Sequence, residues 1–466
     1  MARQALYSGD MLHRLLTIRG VLDGAMLHDP ALARAAATAP DPRPVSAVST
    51  GVGLAGLAGL LIWVAIARYF HFDGSHAALV NVAACGVPMV VWSVVVDKVH
   101  RRASTGIDWA QQTPWRDTID ISLTKLAGLW ATWAGIALIY GTFRFYWTNQ
   151  WGGYPFAMWV FGGVAPILFV ASIPYVIWLD RKLVDPRDGA WALGTWLMGT
   201  GKVDPEAIYA HLRSWGVKAF FLAFMLAIVP PGFGEFIRAD WGVVLNNPVA
   251  LANWLITFMF VIDVGFATVG YVLTMRPLDA HIRSANPYAQ AWMAALICYP
   301  PFTLMGNGGP LDYHPGTSDW IHWFAGHPVL LAITGAVLVG LTAIYAWSTM
   351  AFGLRFSNLT DRGILTHGPY AWSRHPAYLS KNLFWWIATI PVLSTGSLAD
   401  AARATILMAL VSGVYYWRAL TEEKHLGADP DYQAYSAWMA RNGPVPRFFA
   451  WLAGRTPAGD QNRISA

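Results

Sequence analysis

Long apolar runs recur along this chain and constrain its fold more than any other feature. Hydrophobic residues make up 55% of the 466 positions and charged residues only 13%, whereas a soluble domain carries about 25% charged residues. A run of about 20 apolar residues is long enough to cross a bilayer as a helix. Because backbone polar groups inside a bilayer must be paired within the spanning structure, such runs predict helices. The sequence therefore predicts an all-α polytopic membrane protein.

We place ten spans along the chain, so that the predicted protein has about ten transmembrane helices. The seventh is the shortest and is interrupted by the motif CYPPF at residues 298–302, which leaves a re-entrant segment as an alternative. The predicted spans are 46–67, 77–97, 121–143, 155–178, 216–234, 249–275, 287–305, 328–352, 379–398 and 402–420.

The cationic residues support this count. With a cytoplasmic N-terminus, the outer loops hold four cations, and the other 28 of the 32 Lys and Arg residues lie on the cytoplasmic side. This asymmetry follows the positive-inside rule and predicts that both termini are cytoplasmic. The formal net charge of +5 is accounted for by topology, and no basic block indicates a nucleic-acid partner. The Ala-, Arg- and Trp-rich composition favours the inner (plasma) membrane of a bacterium.

The predicted domain organisation has four parts. Residues 1–45 form a cytoplasmic tail, 46–240 an N-terminal transmembrane module of about five helices, 241–450 a C-terminal transmembrane core, and 451–466 a flexible tail. Cys85 and Cys298 lie in apolar runs and predict buried small hydrophobes, not a disulfide. The spacing of the outer-loop histidines matches no metal-ligand motif, so we predict no metal site there.

One polar segment, HGPYAWSRHPAYLSK at residues 367–381, interrupts the apolar C-terminal half. Pro376 suits the first turn of a helix, and His375 and Tyr378 are three residues apart on one face of it. Two predicted crossings later, the chain returns at the segment TEEKHL, residues 421–426. An antiparallel helix hairpin therefore brings Arg418, Glu422 and Glu423 back to the membrane face that holds Arg374, His375 and Tyr378.

These motifs, in this order and spacing, resemble the integral-membrane methyltransferases, which include isoprenylcysteine carboxyl methyltransferases and phospholipid N-methyltransferases. The resemblance covers residues 365–449 and rests on GPY, RHPAY and the EE pair together. It implies an enzyme with S-adenosylmethionine bound at the cytoplasmic face. Ser380 departs from the family pattern, which often has glycine there. The cofactor-binding residues implied by the resemblance are Gly368, Tyr370, Arg374, His375, Pro376, Tyr378, Glu422 and Glu423.

The catalytic residues are not fixed by these motifs, and the candidates are Arg374, Arg418 and Asp263. Asp263 is an acid inside the sixth predicted span, and it either lines an acceptor cavity or satisfies a polar packing network. Arg362 and Lys381 are predicted to be topology anchors at the cytoplasmic ends of helices. Arg276 and Arg283, with Asp279 between them, either bind a lipid headgroup or serve only as topology signals. Tyr432 and Tyr435 either cover the cofactor or anchor the tail at the interface.

The predicted function is methyl transfer from S-adenosylmethionine to a lipid or lipid-linked acceptor at the cytoplasmic face of the membrane. Two alternatives stay open. An NADPH-dependent reductase of the sterol-reductase type has a similar Arg-His-Pro-x-Tyr element and about ten spans. A transporter would show paired broken helices, for which VPPG at 229–232 and YPPF at 299–302 are weak candidates. The predicted partners are a lipophilic acceptor, the bilayer and a second copy of the chain.

Overall fold

The computed structural model describes residues 43–150 and 152–452, so the predicted tails at 1–45 and 451–466 lie almost entirely outside the described residues. From Val45 onward the described chain forms one compact unit. It is helical, as predicted. The helices are α1 Thr50–Phe70, α2 Ser75–Val91, α3 Trp115–Thr142, α4 Tyr154–Asp180, α5 Gly189–Met198, α6 Pro205–Arg238, α7 Trp241–Asn246, α8 Pro248–Val272, α9 Ala289–Leu296, α10 Trp320–Trp323, α11 Pro328–Ala351, α12 Pro376–Thr389, α13 Leu398–Leu426, α14 Pro430–Asn442 and α15 Pro444–Leu452.

Short elements join these helices. A π-helical turn, Trp92–Val96, extends α2, and two strands of two residues, β1 Ser284–Ala285 and β2 Thr360–Asp361, pair antiparallel. Single 3₁₀ turns lie in the loops at Val99–Arg101, Ala103–Thr105, Arg144–Trp147, Arg276–Leu278, Gly353–Arg355 and Gly368–Ala371.

Eight of the described helices are long and apolar enough to cross a membrane: α1, α2 with its extension, α3, α4, α6, α8, α11 and α13. The chain is therefore an integral membrane protein, and eight of the ten predicted spans correspond to long helices. The seventh and ninth predicted spans are short helices. α12 has 14 residues, which at 1.5 Å per residue is about 21 Å, less than the hydrocarbon core of about 30 Å. α9 has eight residues and ends before the two prolines of CYPPF, which cannot donate backbone hydrogen bonds.

Contacts at the two ends of the bundle show that the chain runs from one end of the bundle to the other in these regions. The motif end holds residues 365–378, and there Arg283 N donates to Asp361 O at 2.9 Å. At the opposite end, Thr395 N donates to Gly316 O at 3.1 Å and Arg403 to Pro315 O at 2.7 Å. The short helices α9 and α12 are thus each continued by irregular chain. Irregular backbone at membrane depth is tolerated where protein covers it.

The segment between α4 and α6 differs from its prediction as a loop with one short helix. α5 forms here, and α6 begins at Pro205, well before the apolar run. Two glycines let α5 lie against α3. A Cβ at Gly194 would be 1.9 Å from Thr124 O, and one at Gly128 would be 2.0 Å from Ala190 O. Such close backbone approach requires the smallest residue on both helices.

α8 is the central helix of the largest core. Phe266 is fully buried there, among side chains of α1, α2, α6 and α11 that include Leu60, Met89 and Phe233. This core joins helices from both sides of the predicted boundary at residue 240. That boundary stays a prediction.

The chain just before α1 contacts the motif end directly. Ala47 N donates to Ile364 O at 2.9 Å, and Ser46 Oγ lies 2.7 Å from His367 Nδ1. Burial lowers the pKa of His367. The first transmembrane helix is therefore tied to the loop that carries the polar motif.

Arg362 is not the topology anchor that the sequence indicated. Arg362 is buried, with only 3% of its surface exposed. Its guanidinium donates hydrogen bonds to backbone carbonyls at the ends of two helices and in the loop between α8 and α9. The accepting oxygens are those of Gly270, Leu273, Ala280, Leu354 and Phe356. A cation at helix C-termini is favourable because the exposed carbonyls carry partial negative charge. Arg362 therefore organises the loops at the motif end.

Candidate functional site

Two acids on α13 face the polar motif at the start of α12, as the helix-hairpin argument predicted. His375 Nε2 lies 2.8 Å from Glu423 Oε1, and Arg374 NH1 lies 3.2 Å from Glu423 Oε2. The Tyr378 hydroxyl donates to Glu422 Oε1 in a short hydrogen bond. The predicted convergence of the two segments is confirmed by these contacts.

The motif itself is held by local backbone features and by α14. Gly368 has a φ of +58°, a conformation that glycine adopts without the usual Cβ clash. Pro376 is the first residue of α12, where its missing N–H is not needed. The Tyr435 hydroxyl donates to Tyr370 O at 2.7 Å, which ties α14 to the turn. Arg374 NH1 also donates to Ser436 Oγ at 2.8 Å.

A small pocket of about 170 Å³ opens beside these contacts. Its wall comes from the segment 355–365, the motif, α11, α12, α13 and α14. Burial raises the pKa of Tyr370 well above its usual value and also raises that of Asp361. The pocket is therefore a largely desolvated polar site at the motif end of the bundle.

Two cations of the pocket are surrounded by aromatic rings. The Arg418 guanidinium carbon lies 5.0 Å from the centre of the Tyr378 ring and 5.4 Å from that of Tyr415. Lys381 Nζ lies 5.1 Å from the Trp385 ring and 5.5 Å from the Tyr345 ring. Such geometry stabilises a cation by interaction with the ring faces. Lys381, predicted as a topology anchor, is instead part of the pocket wall.

Three buried polar atoms of the pocket lining have no hydrogen-bond partner. They are Arg418 Nε, Thr360 Oγ1 and the Tyr432 hydroxyl oxygen. Arg418 uses its NH2 group on Asn358 Oδ1 at 3.1 Å, which leaves Nε free. Buried polar groups are normally paired, so these atoms are available to a polar ligand.

The predicted cofactor residues are not all in the pocket wall. Tyr370, Arg374, His375, Tyr378 and Glu422 line it, and so does the catalytic candidate Arg418. Gly368, Pro376 and Glu423 are not in the lining. Glu423 contacts the lining residues Arg374 and His375.

Asp263, the third catalytic candidate, lies one layer deeper. Its Oδ1 accepts a short hydrogen bond from the Thr349 hydroxyl, and Thr349 lines the pocket. Of the two interpretations of this acid, the polar packing network is the one that the contacts describe.

Several pocket residues were missed by the sequence analysis. They are distant in sequence from the motif and come from irregular segments or helix faces, namely Asn286, Tyr299, Tyr345, Asn358 and Tyr415. Tyr299 lies in the CYPPF interruption, and this break in an apolar run was the available signal. Among residues 43–150 and 152–452, no group of three or more His, Cys, Asp or Glu side chains is arranged to hold a metal ion.

Comparison with known proteins places the similarity in this same region. Residues 290–439 match the profile of a family described as "Protein of unknown function (DUF1295)". An 81-residue stretch is 32% identical to a protein-S-isoprenylcysteine O-methyltransferase of Tribolium castaneum, covering 17% of this chain and 28% of that relative. No solved structure matches the chain significantly. The resemblance recognised in the sequence is confirmed, and the match to the family profile begins earlier than residue 365, at residue 290.

Proposed function

We propose that this protein is a membrane-embedded methyltransferase that uses S-adenosylmethionine and acts on a lipid or lipophilic acceptor. The observation that carries the proposal is the set of contacts between Glu422 and Glu423 on α13 and Arg374, His375 and Tyr378 on α12. The similarity to the named O-methyltransferase supports it. Because only 28% of that relative is covered, its activity is carried over here as part of the proposal.

The residues present fit a zwitterionic cofactor. Glu422, which lines the pocket, would hold its ammonium group or ribose hydroxyls, and Arg374, which Glu423 holds in place, suits its carboxylate as a bidentate partner. The unpaired Arg418 Nε and Thr360 Oγ1 offer further hydrogen bonds. Bound S-adenosylmethionine would supply a methyl group on a positively charged sulfur.

The protein's own contribution is to position the reactants and exclude water. The aromatic side chains around Arg418 and Lys381 would exclude water once the ligands are bound. Placing two reactants in the right geometry contributes more to such a displacement than acid–base groups. A general base is required only for an acceptor that carries a proton on the attacking atom. We assign no residue to that role.

A reductase that binds NADPH is the second candidate, and a specific observation favours it. Lys381 and Arg418 line the pocket, and none of the ion pairs among the described residues includes either of them. Cations without carboxylate partners suit the phosphates of a dinucleotide. The family that matches is also linked to steroid 5-alpha reductase-like proteins.

Calorimetric titration of the detergent-purified protein separates the two candidates. S-adenosylhomocysteine and NADPH are titrated separately into wild type, the Glu422→Gln/Glu423→Gln variant and the control Glu235→Gln, an exposed acid at the opposite end of the bundle. We expect wild type and control to bind S-adenosylhomocysteine and the double variant to lose at least tenfold in affinity. Binding of NADPH with no response to S-adenosylhomocysteine would overturn the methyltransferase proposal in favour of the reductase.

A further inference from the structure

A second and much larger cavity, of about 2100 Å³, lies beside the small pocket. Its lining comes from α2, α3, α4, α5, α6 and α8, together with the loop 273–287. Sites for drug-sized ligands enclose about 300–1,000 Å³, so this cavity accommodates a considerably larger molecule. The proposed methyl-transfer site does not account for it.

One part of the cavity is apolar and lies between transmembrane helices. Its lining there includes Val82 and Val87 of α2, Trp133 and Ile136 of α3, and Phe161 and Leu168 of α4. These side chains match hydrocarbon chains, since apolar surface that contacts apolar surface is removed from water.

The other part is polar and lies at the motif end, and its lining cations without a carboxylate partner include Lys218, Arg276 and Arg283. Lys218 Nζ lies 3.3 Å from the centre of the Trp215 ring and 3.4 Å from Thr274 Oγ1. Arg276 NH1 donates to Thr105 O at 3.2 Å, and Arg283 is exposed. All three residues line the cavity, and none of the ion pairs among the described residues includes them.

The carboxylates that line the cavity are already engaged. Lys125 lies 2.7 Å from Asp180 and 2.9 Å from Asp188, and Arg213 pairs with Glu206. The remaining acids accept hydrogen bonds from nearby backbone N–H groups: Asp204 from Glu206, Asp361 from Gly363 and Asp429 from Asp431. The cations of the loop and of α6 are therefore left to face the cavity.

Two buried nitrogen atoms of the lining also have no hydrogen-bond partner. They are His281 Nδ1 and Arg213 Nε. His281 lies on the same loop as Arg276 and Arg283. The Arg213 Nε–H is a buried donor without an acceptor, and His281 Nδ1 is a second one in the tautomer that protonates it, so both positions suit a ligand that carries acceptor oxygens.

We propose that this cavity binds one anionic phospholipid, with its acyl chains between α2, α3 and α4 and its phosphate at Lys218, Arg276 and Arg283. Phosphate oxygens are the acceptors that arginine binds in bidentate geometry and that a lysine ammonium binds as a point charge. A membrane supplies such a molecule from its anionic leaflet. This role is independent of methyl transfer and extends the headgroup interpretation of Arg276 and Arg283.

The lipid site shares a wall with the small pocket. Asp361 and His425 line both cavities, and Ser284 Oγ lies 2.9 Å from His425 Nε2. A lipid headgroup at Arg283 is thus next to the wall of the candidate cofactor site. The inference does not require the two ligands to react with each other.

Native mass spectrometry of the purified full chain tests the proposal with two lipids of identical acyl chains, phosphatidylglycerol and phosphatidylcholine. The test variant is Lys218→Gln/Arg276→Gln/Arg283→Gln. The control variant is Lys98→Gln/Arg101→Gln/Arg116→Gln, whose three cations are exposed and outside the lining. We expect wild type and control to retain phosphatidylglycerol preferentially. The preference should fall by about fivefold for each lining cation removed.

A second pair of variants keeps the test decisive if the triple variant does not fold. Ala137→Trp fills the apolar part of the cavity, whereas Ala134→Trp adds the same side chain to an exposed position of α3 outside the lining. We expect only Ala137→Trp to lose retained lipid. Equal retention of both lipids by wild type and all variants would mean annular lipid only and would overturn the proposal.

Discussion

His375 Nε2 lies 2.8 Å from Glu423 Oε1, although the two residues are 48 positions apart in the chain. The contact joins the first turn of α12 to the last turns of α13. A ligand that binds between these helices must therefore meet two groups that already hold each other in place.

The first prediction concerns this pair. We expect His375→Gln to weaken binding of S-adenosylhomocysteine about tenfold, because the substitution leaves Glu423 with one partner fewer. Calorimetry of the single variants and of His375→Gln/Glu423→Gln should give a coupling free energy of about 1–3 kcal/mol. Strictly additive losses would show that the two side chains act separately on the ligand.

The second prediction concerns Arg362. Replacement by methionine leaves backbone carbonyls at two helix ends without their donor, and each unsatisfied buried group costs about 1–3 kcal/mol. We expect Arg362→Met to lower the unfolding temperature strongly in detergent and Arg362→Lys to lower it less. Arg441→Met, an exposed position of α14, is the control. An Arg362→Met protein as stable as this control would contradict the structural role.

The third prediction concerns the buried pair of Lys125 and Asp180, which are 7% and 0% exposed at their side chains. Removing one partner of such a pair costs about 3–5 kcal/mol, since the other charge stays buried. We expect Lys125→Met to destabilise the protein by this amount and Lys125→Met/Asp180→Asn to regain part of it. Thermal unfolding measures both, with Arg116→Met on the same helix as the control. No recovery in the double variant would mean that Asp188 is the partner that matters.

The fourth prediction concerns pH. Burial lowers the pKa of His281 to about 4. The positive charges of Arg276, Arg283 and Arg355 also lower this pKa, whereas the negative charge of Asp279 raises it. The unfolded chain takes up this proton near pH 6.5, so stability is full above that pH and falls as the pH drops from about 6.5 to about 4.

Thermal unfolding at pH 7.5, 6.5 and 5.5 checks this prediction. We expect the wild type to lose stability over the acid half of this range and His281→Asn to lose less of it. His322→Asn, at an exposed position at the opposite end of the bundle, is the control. An identical pH dependence in the His281→Asn protein would show that other groups cause the loss.

The sequence was informative wherever one local property decides the structure. Eight of the ten predicted spans correspond to long membrane helices, and the hairpin predicted from the last two spans returns Glu422 to Tyr378. The prediction was wrong where the outcome depends on distant neighbours. From the sequence, Lys381 was predicted to be an interface anchor. In the structure, its ammonium group instead packs against the rings of Tyr345 of α11 and Trp385.

The short crossings could not be predicted for the same reason. The predicted span at 379–398 is apolar from Leu383 to Ala388, yet α12 ends at Thr389 with Ile390 in a left-handed conformation. The chain that follows is held by Gly316 in the loop between α9 and α10, through Ser394 and Thr395. Hydropathy describes a segment's preference for lipid and carries no information about such partners. The large cavity likewise depends on the spacing between several helices, so it could not be predicted from the hydropathy of any one segment.

The tie between the chain before α1 and the polar motif, made by Ala47 with Ile364 and by Ser46 with His367, has a practical consequence for protein engineering. A shortened version that keeps only the region similar to known methyltransferases would lose these bonds, and it would also expose the face of α11 that packs on α8. We therefore expect such a fragment to aggregate during expression. Exchange of the N-terminal helices between relatives should succeed only when the residues around Ser46 and the 362–367 loop are transferred together.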